Sequence, residues 1–453
     1  MNMKKSHGLR KSGYLWIKYD RYRIRTKITE AIMSNESCDY IAHRKKTDTS
    51  ADYTDEEAKR HARERGVDLR PAETKNEIDD TGAFIRQPNA FTQPFGDKEG
   101  DLKAEAGRYS IYWAKGCNWS NRPIIVRDLL GLQNVIGDQL TSHSGTDNRY
   151  GHGFATEPDH RDPATGVYFL SEFYRKADPA FKGRATTPTL VDIREKKAVN
   201  NDYHRLTNYL EVQFRPFQPE NAPDLYPKKF RKEIDEFNDW LFPHVNNAHY
   251  RMAFCQTPQA YDEAYEDFYN SLEKLDRRLE TNRFLFGDYI TDSDVRAYVT
   301  LVRWDVAYFH NIGPTKHPIV FYKNIWGWLK ELNAVPEFHK TANARELALE
   351  PGPGVREDDD DKLFRDYNHR ILSKVDFDVL WKDDGLRKKL SGNPEDKFLR
   401  HPRNEIYADY AGEISETIWN SPDRKDRNPK NGTLSVDASV NPVNLSEATA
   451  ECN

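Results

Sequence analysis

The 453-residue chain is polar: 31% of its residues are charged, 37% are hydrophobic, and the mean hydropathy is −0.89. A net charge of −5 leaves no electrostatic footprint for nucleic acid, and no apolar run approaches a membrane span. Four cysteines, at 38, 117, 255 and 452, show neither CxxC nor Cys/His metal spacing. They fit free thiols in a reducing cytoplasm, the expected location.

Residues 1–32 are dense in Lys, Arg and Tyr but carry no apolar segment of the secretory type. Met33 is read as a candidate start, with 1–32 lying upstream of it. Residues 43–80 are charged and short of apolar side chains, so residues 1–82 are expected to be a mostly disordered extension. The one alternative is a surface helix over 54–66, where Asp55, Glu56 and Glu57 would occupy the first turn. Gly82-Ala-Phe-Ile-Arg-Gln-Pro-Asn-Ala-Phe91 is apolar and aromatic, and reads as a lead-in packed on the next domain.

Tyr109–Ala114 reads as a short aromatic and β-branched strand, and Lys115-Gly116 as a turn. Ile124, Ile125, Leu129 and Leu130 then fall on helical spacing, with Gly131 as the stop. Cys117 therefore stands where a strand hands over to a helix N-terminus, which favours an anion. A thiol so placed can have its pKa lowered from about 8.5 to between about 3.5 and 7.5. The plainer reading is a small apolar core residue.

A second strand is expected over 134–140, then a polar loop over 141–161. The loop's His143, His152 and His160 match no common metal spacing, and no metal is expected. A helix is expected over 168–178. Gly183–Asp192 contains Thr187-Pro188 at the head of an apolar strand, which is either an edge or turn proline or a cis-proline facing the thiol-bearing helix, as in thioredoxin-like folds. After a charged turn at 192–197, Asn201-Asp202-Tyr203 leads into a helix over 204–211. Asp202 is either a helix cap or the holder of a ligand α-ammonium.

With Cys117-Asn-Trp-Ser-Asn-Arg122, Thr187-Pro188 and Asn201-Asp202 in this order, the chain resembles glutathione transferases. More narrowly, it is similar to the glutathionyl-hydroquinone reductases, the xi class, whose signature is Cys-Pro-Trp-Ala followed by His-Arg. The lead-in, Glu105-Ala-Gly-Arg-Tyr109 and Ala177-Asp-Pro are also similar, and the likeness spans about 82–345. It implies an α/β thioredoxin-like N-terminal domain over 83–220 and an all-α glutathione-transferase C-terminal domain over 225–345. It further implies Cys117 as nucleophile, Thr187 giving backbone contacts to glutathione beside Pro188, Asp202 at the γ-glutamyl end and Arg184 near the glycyl carboxylate. Trp119 belongs to the signature and is assigned to glutathione binding on that ground. Phe154 stands where the family has a glutathione-contacting Trp, Tyr203 where it has a Ser, and Asn118 where it has Pro.

In the second domain, residues 230–242 and 260–279 carry apolar stripes of helices, and Pro243 is expected to end or kink the first. Thr291 and Asp294 form a capping-box pair, with Ile290 and Val295 as its staple. The resemblance makes Tyr250 and Tyr308 substrate-pocket residues; the plainer readings are a surface tyrosine and a core aromatic. Residues 346–453 are expected to be a polar tail, with 363–390 docking on the core and the stretch from about 423 disordered.

The implied function is a glutathione-dependent thiol transferase that reduces glutathionyl-hydroquinones through a Cys117 mixed disulfide and releases oxidised glutathione. Glutathione and its aromatic conjugates are the expected partners, and a homodimer is implied. The rivals are another cysteine-type glutathione transferase (a dehalogenase or small-molecule disulfide reductase) and a non-catalytic binding member of the fold.

Overall fold

The computed structural model describes residues 55–73, 76–142, 150–154, 157–308, 316–349, 372–400, 413–421, 436–443 and 445. Met33, His143, Cys38 and Cys452 lie outside these, as does most of the expected disordered extension. The first described element is the expected surface helix, α1 (Asp55–Arg65). The chain from Arg65 to Arg70 is held in place rather than loose. Arg65 pairs with Glu172 at 2.9 Å, and Arg175 donates to the carbonyls of Asp68 and Arg70.

A four-stranded sheet carries the first half. Its strands are β1 (Tyr109–Trp113), β2 (Gly137–Leu140), β3 (Thr189–Asp192) and β4 (Lys197–Asn200), in the order β2-β1-β3-β4. β1 runs parallel to β2 and antiparallel to β3, and β3 and β4 form a hairpin. A parallel pair needs a crossover. Helix α2 (Asn118–Leu129) supplies it, starting at Cys117 as expected. Helices α3 (Leu170–Ala177) and α4 (Leu206–Val212) complete this half. This is a thioredoxin-like arrangement.

The second half is helical: α5 (Arg231–Leu241), a π-helical turn Phe242–Asn246, α6 (Ala248–Phe254), α7 (Pro258–Thr281) and α8 (Asp292–Leu301). Then come α9 (Lys323–Asn333), α10 (Pro336–Thr341) and α11 (Ala344–Leu349). Pro243 does not stop the chain. The wider π-turn absorbs the missing N–H, and Asn247 N bonds Phe242 O at 2.7 Å. Residues 302–307 are turns after α8.

One tail expectation changes. Helix α12 (Phe377–Leu380) docks as expected, with Phe377 and Trp381 buried. Beyond 423, however, the described residues are packed: Ala438 and Leu445 are fully buried, and Arg278 donates to the Val440 carbonyl at 2.7 Å. A few apolar anchors and one buried arginine are enough to order a stretch whose composition is polar. Among the described residues, no helix is long and apolar enough to cross a membrane.

The junction into α8 is the expected capping box. Asp294 Oδ2 accepts from Thr291 N (2.9 Å) and Thr291 Oγ1 (3.0 Å). Its Oδ1 accepts from Leu285 N and Trp328 Nε1, both at 2.9 Å, so one buried carboxylate ties the cap to a loop and to α9. Replacing Asp294 with Ala orphans four donors, and the expected loss is roughly 3 kcal/mol in a denaturant titration. A loss below about 1 kcal/mol would show that this carboxylate does not hold the junction.

Candidate functional site

Helix α2 is buried along its whole length, lying against the sheet on one side and α8 and α10 on the other. Its start positions the thiol. Cys117 N bonds Ala114 O at 3.0 Å, and Ser120 Oγ donates to the Cys117 carbonyl at 3.1 Å. No side chain caps the helix, so its first N–H groups face the half-buried Cys117 sulfur's side of the turn. The Thr187-Pro188 bond is cis, and Cys117 Sγ lies 3.5 Å from Thr187 O. The two motifs read separately in the sequence thus meet across the site.

Behind the thiol is a buried polar web. Arg122 donates to Asn246 Oδ1 at 2.8 Å and to Tyr203 O at 3.4 Å, and interacts electrostatically with Cys117. Burial brings this guanidinium down to about 9, with Arg296 adding repulsion. Asn118 donates to Thr300 Oγ1 at 3.4 Å, and its Oδ1 accepts from the Tyr250 hydroxyl at 3.3 Å. The Tyr250 and Tyr308 hydroxyls are 3.5 Å apart. Burial raises both phenols above their ordinary value, so they remain O–H groups through the neutral range. Tyr250 is neither a bare surface residue nor remote from the thiol, and Tyr308 stacks on His249 with ring centres 4.0 Å apart.

Beside the thiol, Trp119, Tyr203, Phe242 and Trp419 form an aromatic cluster, with Cys117 and Tyr250 packed on it. Trp119 is 4.9 Å from Tyr203 and 5.8 Å from Tyr250, centre to centre. Arg86 spans it, 5.0 Å over Trp119 and 4.5 Å over Tyr250, and donates to Asn247 Oδ1. Burial pushes the Tyr203 phenol up to about 12. Asp202 is also buried: its Oδ1 accepts from His204 N and from Asn89 Nδ2, both at 3.0 Å. Burial raises its pKa against the lowering effect of its hydrogen bonds.

Two assigned residues have other partners in the structure. Phe154 is fully buried in a separate cluster with Tyr112 and Phe173, 6.0 Å from Tyr112, so it presents no surface to a ligand. Arg184 pairs with Glu77 at 2.7 Å, so its charge is engaged by the lead-in rather than held toward the thiol. Sequence reasoning did not single out Arg86, Asn89, Phe242, Trp419 or Asn420. Arg86 and Asn89 lay in the lead-in whose packing had been expected, but nothing local marks Trp419. Of the histidines considered for a metal, His152 bonds the Ser142 carbonyl at 3.0 Å, and no His/Cys/Asp/Glu group of metal-binding size occurs among the described residues.

Known proteins share this arrangement. Residues 258–331 match the family model described as glutathione S-transferase, C-terminal domain. The omega-like 2 glutathione S-transferase of Schizosaccharomyces pombe is 33% identical over 277 residues, covering 59% of this chain and 87% of that protein. Glutathionyl-hydroquinone reductase YqjG of Escherichia coli is 32% identical over 274 residues, covering 58% and 82%. The crystal structure of glutathione-S-transferase Xi from Phanerochaete chrysosporium superimposes with a TM-score of 0.57 at 31% identity, covering 63% of this chain and 93% of that one. At these identities and coverages, this chain belongs to the glutathionyl-hydroquinone reductase, or xi-class, family of glutathione transferases.

Proposed function

We propose that the protein is a glutathione-dependent thiol transferase that reduces glutathionyl-hydroquinones, with Cys117 as nucleophile. The observation that carries this reading is the thiol at the α2 N-terminus, 3.5 Å from the carbonyl of Thr187 in the cis Thr187-Pro188 pair. That carbonyl and the Thr187 N–H are suited to a peptide-like thiol laid beside Cys117.

In the first step the Cys117 sulfur attacks the glutathione sulfur of the conjugate. A Cys117–glutathione disulfide forms and the aryl carbon–sulfur bond breaks. The electron pair leaves on the ring, which takes a proton to give the free hydroquinone. Tyr250 and Tyr308 keep their protons at neutral pH, and either hydroxyl is a donor for a phenolic oxygen as charge builds on the ring. A second glutathione then attacks the mixed disulfide, releasing oxidised glutathione and restoring the thiol. The balance is one conjugate and one glutathione to one hydroquinone and one disulfide. The aromatic cluster around Trp119 and Tyr250 suits a planar ring. Asp202 would take the α-ammonium of the γ-glutamyl end.

Incubated with a glutathionyl-hydroquinone and glutathione, the protein is expected to form hydroquinone and oxidised glutathione in equal amounts, and Cys117→Ala none. With oxidised glutathione alone, the wild-type mass should rise by one glutathionyl group, mapped to Cys117. Turnover by Cys117→Ala would remove the mixed disulfide from the mechanism.

Asn118→Pro isolates the amide that holds Tyr250. Proline is well tolerated at the first helical position, so the turn and thiol are retained while Tyr250 loses its acceptor. The expected outcome is a fall in kcat of roughly fivefold to tenfold, the worth of about one hydrogen bond, with mixed-disulfide formation unchanged. An unaltered kcat would show that the Tyr250 orientation does not limit the reaction.

A further inference from the structure

The segment from Glu413 to Ser421 lies far along the chain from the thiol, yet its side chains tie it to the site. Ser415 Oγ donates to Asp235 Oδ2 at 2.6 Å, and its carbonyl accepts from Arg205 Nε at 2.7 Å. Thr417 Oγ1 donates to Asp239 Oδ1 at 2.7 Å, and Trp419 Nε1 to the Asp239 carbonyl at 3.1 Å. Trp419 is only 4% exposed and packs 5.2 Å from Phe242, in the cluster that contains Trp119 and Tyr203. These anchors deliver Asn420 to Asp202. Asn89 Nδ2 bridges the two, 3.0 Å from Asp202 Oδ1 and 3.0 Å from Asn420 Oδ1, so Asn420 holds the amide that donates to the carboxylate.

We propose that Asn420 is a positioning residue for Asp202, which makes the segment Glu413–Ser421 a built-in part of the site that sets its affinity for ligands bearing an α-ammonium group. This rests on the glutathione reading above and deepens it. Among the described residues, the donors that reach the Asp202 carboxylate are the His204 N–H and the amide of Asn89, both neutral and both on Oδ1. Neutral donors orient a buried carboxylate and keep it ionised, but they do not cancel its charge. Arg205 and Arg296 are engaged by other partners, Asp235 and Asp292 respectively. A carboxylate offers about four lone-pair sites, so two donors on Oδ1 leave room at Oδ2, and a ligand ammonium supplies the missing cation. Trp419, sealed over Phe242, keeps water from that end and strengthens the attraction.

The test compares two ligands on the full chain by titration calorimetry: glutathione, and its analogue with a glutaryl group in place of γ-glutamyl, which lacks only the α-amine. Wild type is expected to prefer glutathione. Asn420→Ala should weaken glutathione about tenfold and leave the analogue unchanged, because Asn89 loses the acceptor that holds its amide on Asp202. A parallel loss for both ligands would reduce Asn420 to a structural role, and no change in either would remove it from the site. Tighter glutathione binding by the variant would mean that the segment blocks Asp202 instead of preparing it. Each of these overturns the proposal while leaving the glutathione reading intact. Wild type binding neither ligand would overturn both. If Asn420→Ala does not melt like wild type, Asn420→Ser, smaller in change and still polar, is compared in the same way, with weakening of glutathione alone again the supporting result.

Discussion

The site depends on the burial of α2. A helix at the face of a sheet normally hides one stripe and wets the other, but every residue from Asn118 to Leu129 is buried here. Its polar side chains must therefore find partners on neighbouring elements. Asn118 reaches Thr300, Asn121 accepts from Arg303, Arg122 reaches Asn246, and Arg127 pairs with Asp138. The first three of these bonds lock the sheet-bearing half to the helical half around the residue that precedes the helix, and that residue is Cys117. The placement of the thiol and the joining of the two halves are one structural fact.

The same constraint explains the electrostatics. The web behind Cys117 is rich in arginine, and the acids that balance it lie deeper or on other helices, such as Asp292 beside Arg296 at 2.6 Å. Buried charges of this kind contribute little net stability, because desolvation offsets their attraction. They do fix geometry, since breaking one bond strands its partner. The result is a rigid cationic backing to the thiol, with neutral phenols on the substrate side.

What the sequence made legible was local. The strand-to-helix turn at Cys117, the proline at the head of β3, the capping box at Thr291 and the helix after Thr54 are short patterns whose physics acts within a few residues. The chain order of Cys117, Pro188 and Asp202 then made the fold readable by resemblance. Contacts with no local signature stayed hidden. Phe154 occupies an aligned position but points into the core with Tyr112, so a residue type carried over by position lost its contact. Arg184 likewise kept its charge and gave it to Glu77. Asn118, read as a mere loss of proline, is a bridge between Thr300 and Tyr250, because its amide both donates and accepts.

The tail was the least legible part, and the reason is physical. Composition predicts disorder when too little apolar surface is available for burial. Residues 413–421 are indeed polar, but they bind by hydrogen bonds to carboxylates that the core already buries, Asp235 and Asp239, with Trp419 as the apolar anchor. A buried carboxylate deprived of its donors is costly, so the core provides a strong driving force for a short polar strap. Hydropathy cannot register that force, because it resides in residues some 180 positions away, as with Thr417 and Asp239.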